Sequence, residues 1–180
     1  HGNNEKDLKD AGYDTIPSST IIQSIAACII KDIKRKSILK LDKNIVIEEW
    51  PKVKGAIFQS VDHFRSHYRI PVSRLLPYSI LLVPYTYFFY NNNCNPPSST
   101  QNKLLGQYFW TAALSQRYSS GVESKIAQDL KKIDDILNDI TPTYGDDENV
   151  NLTTDILINR NFSTGDSFCK AVLCLLAFNQ

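Results

Sequence analysis

The residues in this sequence best suited to holding a ligand are Arg117, Tyr118, Ser119 and Ser120, which lead through Gly121 into a long amphipathic stretch. A guanidinium forks onto carboxylates and phosphates, and hydroxyls and first-turn amides at a helix start attract the same anions. A glycine there lets a ligand come close to the backbone. Two uses compete for this corner. In the binding use, Arg117, Ser119 and the free amides hold a phosphate of DNA or of a nucleotide. In the structural use, Ser120 caps the helix, Tyr118 packs into the core, and Arg117 pairs with a carboxylate or with the carbonyls ending the preceding helix. Capping is the commoner role for such residues. No nucleophile or general base stands beside them, so the run is a binding candidate and no residue is assigned a catalytic role.

Other chemistry-bearing groups point less far. His63 and His67 lie one helical turn apart, a spacing at which two imidazoles can share a metal. The residue after the first histidine is Phe64, an apolar position, so the glutamate of the zinc-protease pattern is missing and no third ligand is evident. Asp146, Asp147 and Glu148 could attract a cation but lack the alternating ligands of a calcium loop. Cys28, Cys94, Cys169 and Cys174 have neither metal nor disulfide spacing and read as free, largely buried thiols. No metal site and no cofactor is assigned. Phosphate loops and Gly-x-Ser-x-Gly patterns are absent from the sequence.

The elements that must position these groups are helical. In residues 117–140, Val122, Ile126, Leu130, Ile133, Leu137 and Ile140 form one stripe, leaving Lys125, Asp129, Lys131, Lys132, Asp134 and Asp135 for the solvated side. Ser120 and Glu123 have the spacing of a capping box, and Pro142 and Gly145 mark the end. This helix is expected to organise the rest. Upstream, Pro17 to Thr20 open a helix with Ile21, Ile22, Ile25, Ala26, Ile29, Ile30 and Ile33 on its buried face, ending at the basic tip Lys34 to Lys36. Residues 37–49 read as a connection. A second helix begins near Trp50 with Pro51 in its first turn. Pro77 opens a third, bent at Pro84. Residues 91–100 are a loop, and Ser99 or Thr100 caps a fourth helix in which Gly106 would allow close packing. A short helix at 152–158 and an apolar one from Phe168 to Phe178 complete the chain.

The spacing therefore predicts an all-α fold, an irregular bundle of about six to seven helices without a substantial sheet. Residues 1–16 are expected to be a flexible lead-in and 17–180 a single domain. The expected core includes Ile25, Ile29, Phe64, Leu82, Leu105, Phe109, Leu130, Ile133, Val172 and Leu175. Hydrophobic residues make up 42% and charged residues 22%, as in ordinary globular proteins. A net charge of +1 argues against a surface that coats nucleic acid generically, though not against a local basic patch. The uncharged, largely apolar stretch 75–93 is too interrupted to span a bilayer, so no membrane partner is expected and a cytoplasmic location fits. The two Asn-x-Ser/Thr matches, at Asn151 and Asn161, are then chance matches. The start at His1 and the lack of any methionine read as a piece of a longer chain.

Three segments, LLPYSILLVPYTYFF (75–89), QNKLLGQYFWTAALSQRYSSGVESKIAQDL (101–130) and DSFCKAVLCLLAF (166–178), together resemble the helical middle region of GmrSD-type bacterial proteins, the domain-of-unknown-function 262 group. The opening PSSTIIQSIAACI fits as well. The most specific part is Trp110 through Glu123. The resemblance implies a place after a ParB-like domain with an Asp-Gly-Gln-Gln-Arg motif, linked to nucleotide hydrolysis. Often a His-Asn-His-type nuclease domain follows, in restriction systems that cut DNA carrying modified bases. Neither motif occurs here, so the resemblance implies a scaffold and relay role for this segment. Its partners would be the flanking domains of the same chain, with DNA as a candidate. A stand-alone helical interaction module and a small helical enzyme are the rivals.

Overall fold

The computed structural model describes residues 8–150, 161, 163 and 165–179. The chain is all-α, with no strand among the described residues. Its helices are α1 (Ser18–Ile30), α2 (Arg35–Ile38), α3 (Lys43–His67), α4 (Leu82–Asn91), α5 (Ser99–Leu114), α6 (Val122–Leu137) and α7 (Ser167–Phe178). Short 3₁₀ turns at Ser73–Leu75, Ser79–Leu81, Arg117–Ser119 and Asp146–Glu148 join them.

From Leu82 to Phe89 the sequence offers a helix no charged side chain, so every surface of α4 must be covered. All eight of those residues are buried, and α1, α3 and α6 pack against the helix. The centre of the molecule is thus α4 rather than α6. Aromatic rings fill the surrounding space. Tyr68 stacks on Phe109 with centroids 4.2 Å apart, and Phe64 and Tyr85 lie 4.7 Å apart. The buried hydroxyls are satisfied in series: Tyr68 and Tyr85 share a 2.7 Å hydrogen bond, and the Tyr85 hydroxyl donates to the Leu105 carbonyl at 2.9 Å.

Several boundaries differ from the sequence expectation for identifiable reasons. α1 ends at Ile30, where Lys31 turns left-handed (φ 53°), so Lys34 to Lys36 belong to the start of α2 and not to the end of α1. Its buried face is Thr20, Ser24, Ala26, Ala27 and Cys28. The isoleucines lie to the side, with Ile25 half-buried and Ile22 and Ile30 exposed. Small residues let α1 approach the bulky α4 closely, and periodicity of large side chains points to the wrong stripe. Residues 43–49, expected as a connection, are the first two turns of α3, started by Asp42, whose carboxylate accepts from the Asn44 amide at 2.7 Å. Pro51 consequently sits inside the helix, on its solvent side, where the open rung faces water.

Pro77 opens no helix. One 3₁₀ turn, Ser79–Leu81, follows it and leads into α4, and Pro84 falls in the first turn of α4, where amides lack intrahelical partners anyway, so no bend is required. Ser98 rather than Ser99 caps α5, in a full capping box with Gln101. A side chain at Gly106 would meet nothing within 4 Å, so that glycine permits no close packing. The lead-in is not loose where it is described. Tyr13 is fully buried and donates to the Ile70 carbonyl at 2.8 Å, and the Ser73 amide donates to the Gly12 carbonyl at 3.0 Å.

Of the expected core, Phe64, Leu82, Leu105, Phe109, Leu130 and Ile133 are buried. Ile25, Ile29, Val172 and Leu175 are only half-buried. α7 buries Phe168, Cys169, Ala171 and Cys174 and leaves Leu173, Leu176 and Phe178 exposed. Ile140 lies beyond the end of α6 and is exposed. The expected helix at 152–158 and the Asn151 sequon lie outside the described residues. Among the described residues no helix is long and apolar enough to cross a membrane.

Candidate functional site

The corner between α5 and α6 folds differently from the capped helix start that the sequence suggests. Gln116 and Gly121 both take left-handed conformations (φ 55° and 62°), and a single 3₁₀ turn, Arg117–Ser119, lies between them. Gly121, not Ser120, is the N-cap residue of α6, and no side chain caps that helix; Ser120 is extended. The Ser120–Glu123 capping box does not form. The two left-handed residues reverse the chain so that Arg117 and Tyr118 point inward and Ser119 and Ser120 outward. The four candidates are therefore split between core and surface.

Arg117 is only 2% exposed. Its Nε lies 2.9 Å from both oxygens of Asp129 and its Nη2 lies 2.8 Å from Asp129 Oδ1. Nη2 also donates to Gln128 Oε1 at 2.9 Å, while Nη1 is 3.3 Å from Glu148 Oε1. Asp129 itself is completely buried. It receives the Tyr118 hydroxyl in a short hydrogen bond, the Tyr108 hydroxyl at 3.3 Å and Lys132 Nζ at 3.2 Å. Lys132 also binds Glu148 and lies over the Tyr144 ring at 5.1 Å from its centroid. Glu148 closes its own loop by accepting from the Gly145 amide at 2.9 Å, and Lys125 Nζ donates to the Arg117 carbonyl at 2.7 Å.

Two cations and two carboxylates are thus enclosed together, each held by several hydrogen bonds, which is the condition for tolerating buried charge. Burial, and then the Asp129 charge, hold the Tyr108 and Tyr118 hydroxyls far above the usual phenol range. Both phenols stay protonated and serve as donors to the carboxylate. The arrangement fastens three separate pieces of chain: the α5–α6 corner, the middle of α6 and the turn Asp146–Glu148. Glu148, one of the three acidic residues that the sequence offered to a cation, is a buried partner of Lys132 and Arg117. The guanidinium and Tyr118 face protein groups, as the structural use of this corner requires.

Sequence reasoning missed Asp129 and Lys132, which it placed in solvent. A signal was available: Ile126, Asp129, Ile133 and Ile136 follow steps of three and four, so Asp129 interrupts an otherwise apolar stripe. A carboxylate at such a position must find cationic or hydroxyl partners within the core.

His63 is buried, and its ring stacks on His67 with centroids 4.2 Å apart and meets the edges of Tyr68 and Phe89. Among the described residues no group of three or more potential ligands could hold a metal. Burial, reinforced by His67, pushes the His63 pKa down from 6.5 to about 3. The unfolded chain therefore takes up a proton near pH 6.5 that the folded chain refuses until about pH 3. The stability this confers is complete above pH 6.5 and declines as pH falls, at up to about 1.4 kcal/mol per pH unit. Urea melts of the parent and of His63→Phe at pH 7, 5.5 and 4.5 check this: the variant should lose less stability across that interval. Parallel losses would place the acid sensitivity elsewhere. The cysteines are free: Cys28, Cys169 and Cys174 are buried, and burial raises the Cys174 thiol to about 11.

Over 125 residues the chain is 26% identical to the uncharacterized protein MJ0686 of Methanocaldococcus jannaschii, a match covering 67% of this chain and 21% of that protein. The chain spans about a fifth of the length of that relative. No family model matches the chain. No solved structure matches it either.

Proposed function

We propose that the chain is a non-catalytic helical scaffold and relay domain. In this reading it belongs to a cytoplasmic GmrSD-type defence protein that recognises modified DNA, and it joins a ParB-like nucleotide-hydrolysing domain to a nuclease domain. The observation that carries the scaffold part is the enclosed Arg117–Asp129–Lys132–Glu148 cluster, in which the most reactive-looking groups are occupied with one another. Such a cluster fixes the angle between α5 and α6 and ties down a distant turn, as a connecting domain requires. The restriction context rests on the ordered resemblance of the three segments. A match to about a fifth of a much longer relative agrees with a segment that works inside a larger chain.

The apolar side chains of α7 suit the same role. Leu176 is 59% exposed, with Leu173 one turn before it on the same side of the helix. Neighbouring domains of the longer chain are the occupants this face would receive. The test has two arms. The 180-residue chain, supplied with nucleoside triphosphates, magnesium or manganese, and DNA with and without modified bases, should neither hydrolyse nor cleave. The coding sequence on either side should carry the Asp-Gly-Gln-Gln-Arg motif upstream and a nuclease motif downstream. Metal-dependent cleavage abolished by His63→Ala and His67→Ala would make the chain an enzyme instead.

A further inference from the structure

A cleft of about 690 Å³ lies where the N-terminal segment, the Ser73–Leu75 turn and the start of α7 meet. Its volume is that of a small-molecule site, for which roughly 300–1,000 Å³ is usual. Arg74 and Lys170 supply two positive charges to its wall, and Thr15, Ser73 and Ser79 supply hydroxyls. Among the described residues no carboxylate lines it. Neither Arg74 nor Lys170 is ion-paired with a described residue, in contrast to the enclosed charges around Asp129.

The backbone reinforces this polarity. Pro17, the residue before the first turn of α1, lines the cleft, and no side chain caps that turn. The positive end of a 13-residue helix is therefore left to other partners beside two cations. The neighbouring start of α7 differs. There Asp166 accepts from the amides of Phe168 and Cys169 at 2.8 and 3.2 Å and caps its own helix. The walls are also fixed: Thr15 and Ser73 share a 2.5 Å hydroxyl contact, and Cys174 Sγ donates to the Leu75 carbonyl at 3.3 Å.

We propose that this cleft binds the phosphate group of a small phosphorylated molecule, with Arg74 and Lys170 neutralising it and the hydroxyls and the start of α1 orienting it. The site is separate from the Arg117 corner and does not depend on the scaffold reading. A second basic hollow, lined by Arg65, Arg69 and Asp62, is shared with a carboxylate and serves as the comparison.

Isothermal titration of the 180-residue chain with inorganic phosphate, pyrophosphate and ATP tests the proposal. Saturable 1:1 binding is expected, tighter for pyrophosphate and ATP than for phosphate. Arg74→Gln and Lys170→Gln should each weaken it by about tenfold or more, the usual scale of a charge-assisted hydrogen bond. Arg69→Gln should leave binding unchanged, and melting should be unaltered in all three variants. Absence of saturable binding by all three probes, or binding that survives both cleft variants, overturns the proposal. So does preferential binding of duplex DNA that depends on Arg69 as much as on Arg74, which would indicate an extended nucleic-acid face.

Discussion

Arg117→Ala is expected to destabilise the fold by about 3–5 kcal/mol, the usual cost of removing one partner from a buried ion pair. The substitution leaves Asp129, which has no exposure to water, with Lys132 at 3.2 Å and two phenols as its remaining partners. It also releases one of the two cations that hold Glu148. For a chain of this length the loss corresponds to a fall in melting temperature on the order of 10 °C. Arg117→Lys should recover little, because an ammonium cannot reproduce the fork onto both Asp129 oxygens while also reaching Gln128. A surface arginine such as Arg35 gives the contrast: Arg35→Ala should change melting by less than about 0.5 kcal/mol equivalent. Thermal and urea melts of the three variants check the series, and an unchanged Arg117→Ala melt would contradict it.

Phe109→Ala should cost a similar amount, about 3–5 kcal/mol, through lost contacts and an unfilled cavity. Phe109 is fully buried, stacks on Tyr68 and meets the edge of Trp110 at 4.9 Å between centroids. Its neighbours are held by their own hydrogen bonds, Tyr68 to Tyr85 and Tyr85 to Leu105, so they cannot easily move in to fill the space. Phe109→Leu should lose less than half as much, since most of the volume is kept. Equal losses for the alanine and leucine variants in urea melts would mean that ring stacking, not volume, dominates at this position.

Helix content and much of the core were legible because long apolar stripes and turn residues announce them. Phe64, Leu105, Phe109, Leu130 and Ile133 follow helical spacing, and tertiary packing agrees with it. The failures share a cause: the periodicity of large side chains says which residues prefer burial, not which neighbour is available. In α1 the small face of Ser24, Ala26 and Ala27 wins because α4 is bulky and buried all round. In α7 Leu176 stays 59% exposed, and Phe178 meets the Trp110 ring at 5.5 Å between centroids yet remains 43% exposed. At the α5–α6 corner, Ser120 and Glu123 have capping-box spacing, yet Gly121 takes the left-handed turn that sends Arg117 inward to Asp129. Twelve residues of separation hide that pairing from local pattern, although Asp129's place in an apolar stripe is a sign of it.

The role of Arg117 as a brace is the claim on which the scaffold reading stands, and a double-mutant cycle measures it most directly. Urea unfolding of Arg117→Met, Asp129→Leu, the double variant and the parent gives the coupling between the two residues. Each single variant strands a buried charge, whereas the double variant replaces the pair by apolar groups, a change that is often close to neutral. The account predicts that the double variant is more stable than either single one, with a coupling energy of about 2 kcal/mol or more. Additive losses, with the double variant the least stable of the four, would contradict it and return Arg117 to the status of a group held for some other purpose.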